Sequence, residues 1–228
     1  VSQEVFTGVD HAIDRGSRVV ILGLNGAGKT TLLRSLAGVE ESDSGTVNPG
    51  HGLKLGYYAQ EHDTLDLDAT VVENLRHSAA DLSDTEVRSV LGSFLFSGDD
   101  AEKRTNVLSG GEKTRLALAT IVVSGANVLL LDEPTNNLDP ASRAEILGAL
   151  KTYEGAVVMV THDHGAVASL SPERVLLLPD GDEAHWNDSY AEPIARACPS
   201  ARPCSRRPSA GARSPPSSDT WHDASRAG

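Results

Sequence analysis

The run Gly23-Leu24-Asn25-Gly26-Ala27-Gly28-Lys29-Thr30 constrains this 228-residue chain more than any other stretch. It fits G-x-x-x-x-G-K-[ST] in full, and it stands after an aliphatic run and before a helical one, where that pattern has a physical meaning. Glycines let such a loop bend until backbone N–H groups converge on phosphate oxygens, and the following helix points its positive end at the same place. Lys29 is then expected to reach the β- and γ-phosphates of a nucleoside triphosphate, and the Thr30 hydroxyl to ligate Mg²⁺. A strand–loop–helix unit of this kind belongs in an α/β fold.

The rest of the chain keeps the same rhythm. Continuous aliphatic runs at Val19–Leu22, Val128–Leu131, Val157–Val160 and Val175–Leu178 predict buried strands. Helical periodicity at Thr30–Ala37, Gly111–Val123 and Pro140–Leu150 predicts helices, with Gly38 ending the first, and Asp139 capping the third ahead of Pro140. Such alternation favours a largely parallel sheet. Between Gln60 and Leu108 the strand rhythm breaks. There Ser83-Asp84-Thr85-Glu86 has the spacing of a capping box that opens a helix running to about Phe96, and an inserted helical subdomain is expected at about 70–124.

Two more segments carry chemistry. Val128-Leu129-Leu130-Leu131-Asp132-Glu133 is an aliphatic strand ending in two carboxylates. Such a strand delivers Asp132 to the carboxyl edge of the sheet, beside the phosphate loop, where it is expected to hold Mg²⁺ through water. Glu133 would face the γ-phosphate and polarise the attacking water. Leu108-Ser109-Gly110-Gly111-Glu112 is a Ser/Gly turn opening a helix, a second candidate anion-binding N-terminus.

Taken together with the phosphate loop, these segments resemble the nucleotide-binding domain of ATP-binding-cassette (ABC) ATPases over about residues 1–190. Gln60 after Tyr57-Tyr58-Ala59, the turn Asn137-Leu138-Asp139, and His162 after Val157–Thr161 follow in the family's order. The resemblance implies an ABC-type α/β core with a parallel sheet, an antiparallel β edge and a helical signature subdomain. It also implies ATP and Mg²⁺, the nucleotide being sandwiched between the phosphate loop of one domain and the LSGGE turn of another. Gly23, Asn25, Gly26, Ala27, Gly28, Lys29, Thr30 and Thr31 would then hold ATP in this domain. Ser109, Gly110 and Gly111 would serve the partner's nucleotide, and Asp139 would contact the opposite domain. Glu133 would be the general base, Gln60 would sense metal and attacking water, and His162 would hold the γ-phosphate. His164 is the alternative, in a position that suits the turn.

The stretch Gly111-Glu112-Lys113-Thr114-Arg115 and the run Asp132-Glu133-Pro134-Thr135-Asn136-Asn137-Leu138-Asp139 resemble the ABC-F subfamily, specifically the C-terminal of its two tandem ATPase domains. That resemblance implies a cytoplasmic protein without membrane insertion, and a partner ATPase domain supplied by an N-terminal half or a second copy. It further implies a ribosome or rRNA partner for the full-length protein, in translation or antibiotic resistance. The ATPase subunit of a membrane transporter is the alternative. The aromatic residue that stacks on adenine in the family falls before Gln3–Phe6; Phe6 is the alternative stacking residue, but next to Val5 it is expected in the core, and the chain reads as a fragment.

Composition sharpens this. The formal charge is −12, which argues against nucleic-acid binding through the whole molecule's field. Residues 1–194 carry 14 Lys+Arg against 30 Asp+Glu, whereas 195–228 carry six Arg and two Asp. A body that acidic is a poor ribosome ligand by itself, so the basic surface is expected in a missing linker or first domain. Both cysteines, Cys198 and Cys204, lie in the Pro/Ser/Arg-rich end, and neither they nor His51, His62 and His77 have metal-ligand spacing. Residues 193–228 are predicted to be disordered, and Arg without Lys suggests a frameshifted reading of GC-rich DNA; the ATPase domain is expected to end near 192. No run of eighteen apolar residues occurs, and VSQEVFTGVD lacks the marks of a secretory leader.

Overall fold

The computed structural model describes residues 5–59 and 65–186. Gln60, His62 and everything from 187 onward, including the expected disordered tail, lie outside the described residues. Six strands form one sheet: β1 (Arg18–Gly23), β2 (Leu55–Tyr58), β3 (Val128–Asp132), β4 (Ala156–Val160), β5 (Arg174–Leu178) and β6 (Asp182–His185), in the order β2-β3-β4-β1-β5-β6. Every neighbouring pair is parallel except β5 and β6, which form an antiparallel hairpin at one edge. β1, which delivers the phosphate loop, is therefore central, with β4 on one side and β5 on the other.

The aliphatic runs become strands because both faces of a parallel sheet are covered, so neither parity can be polar. Val20, Leu22, Leu129, Leu131, Val157, Met159 and Val175 face one core; Val19, Ile21, Leu130, Val158, Val160, Leu176 and Leu178 face the other. Each is essentially buried, a gain of about 1.5–3 kcal/mol per side chain. The first core is completed by α2 (Val71–Ser78), α3 (Asp84–Ser93), α4 (Gly110–Val123), α5 (Pro140–Thr152) and α6 (His164–Leu170). The second is closed by α1 (Lys29–Leu36) through Leu32 and Leu33, with Phe6, Val9 and Ile13 packed alongside.

The four expected strands match within a residue at each end. Ser83 caps α3 through the expected box, although that helix stops at Ser93 rather than Phe96, because Leu95 takes a left-handed φ of 63° that a continuing helix forbids. Trp186 packs against the first core, and its N–H donates to Glu173 O at 3.2 Å, at the end of the late hairpin. Among the described residues no helix is long and apolar enough to cross a membrane.

Candidate active site at the carboxyl edge of the sheet

β1 ends at Gly23, where a Cβ would stand 2.8 Å from Leu178 O of the adjacent strand. The chain then turns through Asn25 and Gly26, both exposed, and buried Ala27, whose N–H donates to Leu24 O at 3.1 Å. Gly28 caps α1 with φ 88°, a left-handed conformation that disfavours a side chain. Space forbids one as well, since its Cβ would lie 2.5 Å from Val5 Cγ1 and 2.7 Å from Phe6 Cδ1. Phe6 thus packs both on the core, as expected, and over the phosphate loop.

Of the six α-helices among the described residues, α1 alone begins without a capping side chain. Thr70, Ser83, Ser109, Asp139 and Asp163 each cap the helix they precede. The first turn of α1 also holds no acidic residue. Its leading N–H groups and the positive end of its dipole are left for an anion. Thr30 is exposed there and Thr31 half-buried. Lys29 is buried, and its Nζ donates to Gly23 O and Leu24 O at 3.0 Å each, folded back over the loop. Burial lowers its pKa, and the fields of Glu133 and Asp132 partly oppose that. The two carboxylates therefore lie close enough to act on the lysine.

Asp132 ends β3, buried and in register with Val160. Glu133 leaves the strand with φ 50°, unusual for a side-chain-bearing residue and held by its N–H donating to Val160 O at 3.0 Å. That turn swings its carboxyl to the segment after β4. Its Oε2 accepts from the His162 backbone N–H at 3.4 Å, and its Oε1 lies 3.2 Å from His162 Nε2 without an aligned hydrogen bond. Burial pushes the Glu133 carboxyl up to about 7, with the Asp132 charge adding to the rise, while the His162 N–H and Lys29 oppose it. His162 is lowered by burial and by Lys29. A carboxyl near neutrality at a sheet edge, beside a lysine and an imidazole, suits proton transfer at physiological pH.

Ser109 and Gly110 are exposed and Gly111 is half-buried at the start of α4. Ser109 Oγ donates to Glu112 Oε2 at 2.6 Å and accepts from Glu112 N at 3.3 Å, while Ser109 N donates to the same carboxylate at 2.8 Å. This turn is therefore self-capped, unlike α1, and Ser109 reaches an incoming phosphate only by giving up that box. A Cβ on Gly111 would meet Asn137 O at 2.9 Å, so glycine lets the signature turn sit against the Asn137–Asp139 turn. Asp139 is engaged in capping α5, accepting from Ala141 N and Ser142 N at 3.1 Å and from Ser142 Oγ at 2.5 Å. Asp163 caps α6, accepting from Gly165 N at 2.8 Å, and pairs with Arg143 of α5 at 2.7 Å.

The structure thus brings Lys29, Asp132, Glu133 and His162 together at one edge, and sets Ser109–Gly111 beside the Asn137–Asp139 turn. His164 is the first residue of α6. Residue-by-residue reading missed the boxes Thr70–Glu73 and Ser109–Glu112, although both carry the S/T-x-x-E spacing used to find Ser83–Glu86. It also missed Arg143, whose partner is twenty residues away.

An uncapped phosphate-loop helix after the central strand of a largely parallel sheet, with a carboxyl that titrates near neutrality at the end of β3, one strand beyond β4, defines a nucleotide-hydrolysing cassette. The ABC transporter family profile matches residues 6–136, and the chain belongs to that family, one of ATP hydrolases. It is similar to "Probable ATP-binding protein YbiT" of Escherichia coli O157:H7, 40% identical in an alignment of 181 positions that covers 75% of this chain and 34% of that protein. It is 48% identical over 149 residues to "Probable ATP-binding protein YheS" of Haemophilus influenzae, covering 65% of this chain and 23% of that one. With "ABC transporter F family member 2" of Arabidopsis thaliana it shares 37% over 188 residues, covering 82% and 28%. The chain spans between 23% and 34% of the length of these relatives.

Among solved structures it resembles the dimeric post-hydrolysis state of the ATP-binding cassette MJ0796 bound to ADP and Pi, with a TM-score of 0.66 and 25% identity over 80% of this chain and 91% of that one. RNase-L Inhibitor gives a TM-score of 0.68 at 28% identity, covering 81% and 38%.

Proposed function

We propose that this chain binds ATP with Mg²⁺ on the phosphate loop and hydrolyses it at a head-to-tail interface with a second ABC domain. The observation that carries the reading is the uncapped N-terminus of α1 with Lys29 folded over the loop that precedes it. In this account residues 1–192 are the ATPase domain, with a helical subdomain at about 70–124. Gly23, Asn25, Gly26, Ala27, Gly28, Lys29, Thr30 and Thr31 bind the nucleotide, with Lys29 swinging from its two carbonyl partners to the phosphates. Thr30, Gln60 and Asp132 hold the metal. The Thr30 hydroxyl and the buried Asp132 carboxylate are oxygen donors of the kind Mg²⁺ takes, with phosphate and water supplying its other ligands. When bound, Mg²⁺ offsets the charge that develops on the phosphates.

Water oxygen attacks the γ-phosphorus, the bond to the ADP oxygen breaks, and the water proton passes to Glu133. His162 orients the γ-phosphate, with Gln60 beside the water. Ser109, Gly110 and Gly111 complete the partner's site, and Asp139 meets the opposite domain; the cassette dimers among similar solved structures support this. Lys29→Ala tests the reading. Each charge-assisted hydrogen bond is worth about 1.5–3 kcal/mol, so ATP affinity is expected to fall roughly ten- to a hundredfold by calorimetry. Unchanged affinity overturns the phosphate site.

For the longer protein we propose a cytoplasmic, ribosome-associated role in translation or antibiotic resistance over a transporter subunit; what the relatives named as F-family members support is the ABC-F subfamily from which that proposal starts. With 30 acidic and 14 basic residues in 1–194, the rRNA-facing surface lies elsewhere in that protein. The longer protein, loaded with ATP, is expected to co-sediment with ribosomes at physiological salt; a soluble fraction unchanged by ATP counts against the role.

A further inference from the structure

Glu133 and His162 meet at the site, but nothing in their own contacts ties them to the turn where a second domain would dock. α5 does. It begins at Pro140, directly after Asp139, whose side chain caps it, and one turn later the Arg143 N–H donates to Asp139 O at 2.9 Å. The Arg143 guanidinium leaves α5 toward α6, its Nη1 lying 2.7 Å from Asp163 Oδ2 as an ion pair without an aligned hydrogen bond. Arg143 and Asp163 are about one-third and one-fifth exposed, so the pair is partly desolvated, and Arg143 Nε is buried with no other partner. Asp163 follows His162 directly. Its other carboxyl oxygen caps α6 at Gly165, and its N–H donates to Thr161 Oγ1 at 3.1 Å. The backbone on the C-terminal side of His162 is thus held by one carboxylate, and that carboxylate is held by Arg143.

We infer that Arg143 is a positioning residue for hydrolysis: through Asp163 it fixes the His162 segment against Glu133, and through α5 it couples that segment to the Asn137–Asp139 turn. The inference rests on the hydrolytic reading above and adds to it a route from the docking turn to the reacting groups. The first turn of α5, capped by Asp139 and carrying the Arg143 contact to Asp163, thus forms a contiguous physical link of the kind that couples two sites.

Arg143→Met removes the contact and keeps the apolar stem; Arg143→Lys keeps the charge; Asp163→Asn breaks the pair from the other side and retains a capping residue. In the nucleotide-free chain, the His162 ring resonance, assigned by its loss in His162→Gln, is expected to shift in Arg143→Met and Asp163→Asn and to return in Arg143→Lys. With ATP and Mg²⁺, kcat is expected to fall about tenfold in Arg143→Met, with ATP affinity unchanged within about twofold. The double variant Arg143→Met with Asp163→Asn should be no slower than the slower single one.

An unmoved ring resonance overturns the inference, as do an unchanged kcat, a parallel loss of affinity and turnover, or effects that multiply in the double variant. Should Arg143→Met not fold, Asp163→Asn is judged on the same readouts. Should the wild-type chain turn over no ATP even at concentrations where it is dimeric, the hydrolytic reading fails, and the ring resonance still decides the contact.

Discussion

Glu133→Gln is expected to cut ATP turnover at least a hundredfold while leaving ATP affinity within a few-fold of the wild type. A positioned general base contributes about 10²–10⁴-fold, and glutamine keeps the shape of the side chain while removing its ability to take a proton. The position is set by backbone. The left-handed turn at Glu133 and its hydrogen bond to Val160 O aim the side chain at His162, and neither depends on the charge. Phosphate release followed against nucleotide binding separates the two effects. Turnover retained in this variant would remove Glu133 from the chemistry.

The same substitution carries a stability signature with a definite sign. The Glu133 carboxyl is raised in the folded chain to about 7 from an ordinary value of 4.5, so between those values the folded state binds the proton more tightly than the unfolded one. Stability is then lost as pH rises from about 4.5 through 7, by about 3–4 kcal/mol once the buried group is fully ionised. Glu133→Gln has no such loss. Without nucleotide and in the presence of a chelator, it should unfold at higher urea than the wild type at pH 8, with the gap closing toward pH 4.5. A gap that widens as pH falls contradicts a raised carboxyl.

Much of the fold was legible because burial on both sheet faces leaves an unambiguous mark: four aliphatic runs with no polar parity. The phosphate loop was legible because its glycines answer to space as well as to φ, as the contact of Gly28 with Val5 and Phe6 illustrates. Less visible was that Ser109 and Asp139 are already committed to capping their own helices, since a cap and a ligand contact draw on the same side chains. The neutral-range Glu133 was legible as a strand-end acid but not as a raised one. That shift comes from burial, with the Asp132 charge adding to it and the contact to His162, 29 residues away, opposing it, and no local pattern records how deep a strand-end acid sits. The ion pair of Arg143 with Asp163 was invisible for the same reason.

The central claim is that one chain holds half of each active site. In α1 the phosphate-binding end is open, whereas in α4 the signature turn lies against the chain's own Asn137–Asp139 turn, exposed at Ser109 and Gly110. If catalysis needs the signature turn of a second domain, two chains must meet before either ATP is cleaved. Activity per chain then grows with chain concentration until the dimer saturates, and dilution slows turnover out of proportion. ATPase rate per chain, measured with saturating ATP and Mg²⁺ across at least a hundredfold range of chain concentration, tests this most directly. The account predicts a rate per chain that rises in proportion to concentration at the dilute end; a rate per chain that stays constant across the range contradicts a composite site.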